Sequence, residues 1–231
     1  MTRQLPLDLA RPPSYGRADF LPAEANEAAL GWIDRWPDWP GPASVLVGPA
    51  GSGKTHLLHL WAERAQALHL HGGELDHLQL PALLDVLGNA RHVALDEADA
   101  VAGRANAEQQ LFHLYNWLRE RGGALLLAAR AAPARWPLRL PDLASRLRAA
   151  TVAEIGVPDD ALLSAVLVKL FHDRQVTITE EVVQYLVRRM ERSLSAAVVM
   201  VDRIDRRTLA DKRAVSIKLL REMTELGLGE G

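Results

Sequence analysis

Ser44-Val45-Leu46-Val47-Gly48-Pro49-Ala50-Gly51-Ser52-Gly53-Lys54-Thr55 is the stretch that decides the fold. Four residues that read as a short buried strand run straight into a loop fitting G-x-x-x-x-G-K-[ST], and from Leu57 to Leu68 the apolar spacing becomes helical. The glycines let the backbone wrap so that its N–H groups converge on an anion, and the helix that follows aims its positive end at the same point. Lys54 is then expected to reach the outer phosphates of a purine nucleoside di- or triphosphate, and the Thr55 hydroxyl to coordinate Mg²⁺. The expected nucleotide-binding segment is thus Gly48, Pro49, Ala50, Gly51, Ser52, Gly53, Lys54 and Thr55. A glycine turn with an incidental lysine is the competing reading, and the strand before and helix after weigh against it.

A metal-bound phosphate also needs a carboxylate at the end of a neighbouring strand. Val93-Ala94-Leu95-Asp96-Glu97 supplies one. Asp96 is the expected second holder of Mg²⁺ beside Thr55, and Glu97 the carboxylate that could polarise an attacking water. Asp96-Glu97-Ala98-Asp99 also spells a helicase signature, but a helicase of that kind needs two such sheets, about 350 residues on ordinary domain sizes, against 231 in this chain.

Outward from these motifs the chain alternates. Further strand candidates are 68–71, 91–95, 123–128 and 151–155, each nearly all apolar, with helices at 24–36, 57–68 and about 106–121 between them. Apolar strands separated by helices predict an α/β fold with a five-stranded parallel sheet covered on both faces. After Pro158 the periodicity is only helical, in segments 159–173, 179–190, 194–207 and 214–226, with Thr179 and Ser193-Leu194-Ser195 fitting helix starts. The expected organisation is an extended tail over 1–22, an α/β base over 23–157 and a small helical lid over 158–231.

Composition excludes several functions. A net charge of −2 gives no global attraction to nucleic acid or anionic membrane. The absence of cysteine rules out disulfides, thiolate nucleophiles and cysteine-ligated zinc. No run approaches the roughly 18 apolar residues of a membrane span, so a soluble cytoplasmic protein is the expectation. Only four of the 27 basic residues are lysines, so a single arginine carries meaning only in a specific context. His56 with His59, and His69 with His71, lack the third ligand a metal site needs. Trp32, Trp36 and Trp39 read as a helix end and loop packing on the base.

An α/β base followed by a helical lid resembles the AAA+ class, and in detail the DnaA/Hda group over about residues 15–210. Leu140-Pro141-Asp142-Leu143-Ala144-Ser145-Arg146-Leu147 resembles the segment that carries an arginine finger in that group, which maps the finger to Arg146. Arg192-Ser193-Leu194-Ser195 resembles its sensor 2 segment and implies that Arg192 contacts bound nucleotide; Phe20 and Asn26 fall where the group has an adenine-side segment. One departure concerns sensor 1. Leu125-Leu126-Leu127 is followed by Ala128-Ala129-Arg130 where the group usually places a polar or acidic residue, and alanine cannot orient a water. Gln4-Leu5-Pro6-Leu7-Asp8-Leu9 resembles the peptide by which bacterial proteins dock on the replicative sliding clamp, with Gln4, Leu5, Leu7 and Leu9 as the contacts.

For a regulatory member of that group the resemblance implies ADP or ATP with Mg²⁺ as cofactors, and DnaA and the DNA polymerase III sliding clamp as partners. It implies stimulated hydrolysis of DnaA-bound ATP through Arg146, which prevents over-initiation of replication. DNA is met only through those partners, no membrane is involved, and the chain is weakly active or inactive as an ATPase itself, with a homodimer as one arrangement. The sequence ends at Gly231, which as a whole chain leaves no room for the initiator's DNA-binding domain. The alternatives are a stand-alone AAA+ ATPase of the DnaC-like helicase-loader type acting through Glu97, or a clamp-recruited DnaA-like adaptor for another partner.

Overall fold

The computed structural model describes residues 15–211 and 213–225. Five parallel strands form one sheet in the order β2-β3-β4-β1-β5: β1 (Ala43–Val47), β2 (Leu68–His71), β3 (His92–Asp96), β4 (Ala124–Ala129) and β5 (Thr151–Glu154). In the central strand β4 every residue is buried, because a strand covered on both faces has no solvent side to alternate towards.

Helices α1 (Glu24–Asp34) and α2 (Lys54–Ala65) cover one face, through Leu30, Ile33, Leu57, Leu58 and Trp61. The opposite face is covered by α3 (Leu80–Leu87), α4 (Ala105–Glu120) and α5 (Pro141–Arg148), through Leu83, Leu111, Leu114, Leu143 and Leu147. Trp39 stacks between Trp32 and Trp61 at ring separations of 6.2 and 5.4 Å, closing the end of α1 over α2.

Helices α6 (Asp160–Asp173), α7 (Glu180–Val187), α8 (Leu194–Asp211) and α9 (Ile217–Glu225) enclose a separate core around Leu167, Phe171, Leu186, Val201 and Leu219. Asp159 caps α6 by accepting from Leu162 N–H at 2.7 Å, and Thr179 starts α7 as its sequence suggests. Among the described residues no helix is long and apolar enough to cross a membrane.

Three elements differ from expectation. Helix α2 begins at Lys54 inside the glycine loop, three residues ahead of the apolar period, because its first turn faces the loop rather than the core. Residues 72–77 and α3 fill a stretch given no structure by the sequence reading; Pro81 lies in the first turn of α3, where its missing N–H costs nothing. Within the segment read as an extended tail, Arg17–Asp19 form a 3-10 turn, Tyr15 stacks on His59 at 4.0 Å and Phe20 is buried.

Candidate functional site

The loop Gly48–Gly53 joins β1 to α2, and its start is tied into the sheet where Gly48 N–H donates to Ala129 O at 3.3 Å. Gly51 and Gly53 have φ of +65° and +99°, a left-handed backbone that glycine adopts without strain and that closes the loop ahead of the helix N-terminus. At Gly51 the space is also full: an added Cβ would lie 2.3 Å from Ser195 Oγ and 2.8 Å from Ser193 Cβ. Such a wrapped loop has the shape to receive phosphate oxygens on backbone N–H groups.

Lys54 Nζ donates to Gly48 O and Pro49 O at 2.9 and 2.7 Å, so its ammonium is held over the loop. Burial pushes the Lys54 pKa below the usual ammonium value; Asp96 and Asp99 oppose that shift and Arg130 adds to it. Thr55 Oγ1 donates to Asp96 Oδ2 at 2.7 Å, and Asp96 Oδ1 accepts from Glu97 N–H at 2.8 Å. A hydroxyl and a carboxylate brought together beside a phosphate loop are oxygen donors suited to Mg²⁺. The donor set and the glycine cradle fit a metal–nucleotide complex. Glu97 itself has φ +47° and turns its exposed carboxylate towards the edge strand, 3.8 Å from His71 Nδ1.

The lid reaches the same loop. Leu194 N–H, at the start of α8, donates to Gly51 O at 2.7 Å, and the buried Ser193 caps α8 through Ala196 N–H at 3.1 Å. The contacts of this segment to the loop therefore come from Ser193, Leu194 and Ser195, which the sequence reading took as a helix start and part of the sensor 2 segment without assigning them a contact to the loop. Arg192 is exposed and paired with Asp160 at 2.8 Å, joining α8 to the start of α6. Both partners are largely solvated, so the pair holds little energy of its own.

Phe20 packs edge-on to His56 at 5.2 Å and approaches the loop beside Gly53. Asn26 is buried, but its amide is committed to the chain: Oδ1 accepts from Ala23 N–H and Nδ2 donates to Leu21 O. It therefore fixes the entry to α1.

Arg146 lies on the other face of the sheet. Its guanidinium sits 4.7 Å above the Phe112 ring and 5.3 Å from the Tyr115 ring, and donates to Asn116 Oδ1, all on α4. The helix that carries it is anchored by Glu108, a buried carboxylate that accepts from Gly103, Arg139 and Leu140 N–H, each at 2.8 Å. Nothing in the sequence pattern marks Glu108, since it sits within an ordinary amphipathic helix.

The sensor 1 position also differs. Strand β4 continues through Ala128 and Ala129, both buried, so the first residue to emerge at the phosphate end of the sheet is Arg130. Its N–H donates to Asp99 Oδ2 at 3.1 Å. Gln4, Leu5, Leu7 and Leu9 lie outside the described residues.

Comparison with known proteins agrees with this architecture. Residues 160–224 match the family model "Hda, lid domain". An uncharacterized protein of Haemophilus influenzae is 26% identical over 195 residues, 82% of this chain and 84% of that one. Domain III of the Thermotoga maritima replication initiation protein DnaA superposes with a TM-score of 0.79 at 17% identity, covering 90% of this chain and 94% of that one. AMPPCP-bound DnaA from Aquifex aeolicus gives 0.71 at 18% identity, covering 84% of this chain and 65% of that one. The chain thus has the AAA+ fold of DnaA domain III and carries a helical region that matches the Hda lid.

Proposed function

We propose that the chain is a nucleotide-holding regulator of the replication initiator DnaA. It docks on the sliding clamp through Gln4, Leu5, Leu7 and Leu9 and presents Arg146 to ATP held by DnaA. The observation that carries this reading is the placement of Arg146. Its contacts are to α4, and the sheet separates it from Lys54, Thr55 and Asp96 on the α2 side. A guanidinium mounted away from its own phosphate loop is suited to a nucleotide on another molecule, where it offsets charge developing on the transferred phosphoryl group.

Within the chain, the loop N–H groups and Lys54 bind the phosphates of ADP or ATP, while Thr55 and Asp96 orient Mg²⁺. When bound, the metal–nucleotide complex supplies negative charge that the loop and lid segment can close around. Leu194 N–H bonds Gly51 O, so the lid start and the loop respond together to the occupant. Arg130 cannot accept a proton from water, which favours a held nucleotide over rapid turnover.

Reconstitution tests the reading. Clamp loaded on DNA, ATP-bound DnaA and the full chain are mixed, and the fraction of DnaA-bound nucleotide converted to ADP is followed. Hydrolysis should accelerate with the full chain and return to the basal rate when residues 1–9 are deleted. No acceleration by the full chain would overturn the proposal. A large ATPase activity of the chain alone, abolished by Glu97→Gln, would favour an independent motor instead.

A further inference from the structure

Strand β4 lies between β1, which ends in the phosphate loop, and β3, which ends in Asp96. The residue that leaves β4 at that end is therefore delivered between the loop and the metal-side carboxylate. Here it is Arg130. Two backbone bonds fix its place: Ala129 O accepts from Gly48 N–H, and Arg130 N–H donates to Asp99 Oδ2. The side chain is exposed, and among the described residues its guanidinium has no hydrogen-bond or ion-pair partner. It is near enough to oppose the charge of Lys54.

Two cations brought close on one face of a site repel each other unless an anion lies between them. A guanidinium also matches phosphate oxygens in a planar, bidentate way and is never deprotonated. At the end of the strand between those that lead to the phosphate loop and to Asp96, its charge opposes a divalent cation held there while doing part of that cation's work. We propose that Arg130 is a phosphate-contacting residue of this site, and that its guanidinium supplies charge compensation otherwise left to Mg²⁺, so that the chain holds adenine nucleotide with only weak dependence on the metal. This rests on the nucleotide-binding reading given above.

The test uses the full chain and fluorescently labelled ADP, titrated once with Mg²⁺ and once with EDTA. Charged hydrogen bonds predict that Arg130→Ala weakens binding about tenfold to a hundredfold in EDTA and distinctly less in Mg²⁺. Arg130→Lys should recover part of the loss, and the exposed position should leave the melting temperature of each variant unchanged. Lys54→Ala should lose affinity under both conditions. A loss at Arg130→Ala that is equal with and without Mg²⁺, or no loss at all, overturns the inference while the nucleotide reading stands. Failure of the unmodified chain to bind would overturn both.

Discussion

Thr55 Oγ1 donates to Asp96 Oδ2 across 2.7 Å, joining the first turn of α2 to the end of β3 through the two side chains proposed to hold Mg²⁺. Asp96→Asn keeps an acceptor for that hydroxyl but removes the charge. The variant should fold normally and lose the small part of nucleotide affinity, less than about tenfold, that Mg²⁺ adds while Arg130 is in place. Titration with and without Mg²⁺ reads this directly: affinity in EDTA should match the unmodified chain.

Gly51 combines φ +65° with the hydroxyls of Ser193 and Ser195 packed against it. Gly51→Ala should cost about 1–3 kcal/mol through backbone strain and push the α8 start off the loop. Gly73, with no atom within 4 Å of an added Cβ and no positive φ, is the matched control. Thermal unfolding should separate the two variants, with Gly73→Ala close to the unmodified chain.

Glu108 holds three backbone N–H groups from two loops while almost wholly buried. Glu108→Ala leaves those donors unpaired and should destabilise the fold by about 2–4 kcal/mol. Glu108→Gln keeps one carbonyl acceptor and should fall between. Hydrogen exchange should show residues 139–148 opening first in the glutamine variant; protection there equal to the unmodified chain would contradict the anchoring role.

Burial lowers the pKa of His56, His59, His69 and His92 below the ordinary imidazole value. The folded chain then binds fewer protons at these sites than the unfolded chain. Their stabilising contribution is full above about pH 6.5 and is lost as pH falls through the lowered folded values. The melting temperature should drop as pH falls from about 6.5 to 5. His56→Gln should make that drop shallower, and an unchanged slope would contradict the assignment.

The site was most legible where its chemistry forces a sequence. A loop of two left-handed glycines, a lysine and a hydroxyl admits few substitutes, and a buried parallel strand writes itself as an unbroken apolar run such as Leu125-Leu126-Leu127. Alanine is ambiguous, which blurred the end of β4: the sequence reading stops the strand at Ala128, but Ala129 is also buried strand and Arg130 takes the exposed position. Pro81 and the neighbouring glycines disguised α3, since the same residues punctuate loops and begin helices. Glu108 accepts from Arg139 and Leu140 N–H, 31 and 32 residues away, and Ser193 packs on Gly51 from the far end of the chain; local pattern carries no trace of such partners.

The proposed action of Arg146 is on a nucleotide bound to another molecule. Its most direct measurement is single-turnover hydrolysis of labelled ATP on DnaA, with clamp-loaded DNA and either the unmodified chain or Arg146→Ala. Arginine fingers contribute about 10³–10⁵ in rate in comparable phosphoryl transfers. Arg146→Ala should abolish the acceleration while clamp binding and the chain's own nucleotide binding stay intact. Acceleration by Arg146→Ala equal to that by the unmodified chain would contradict it.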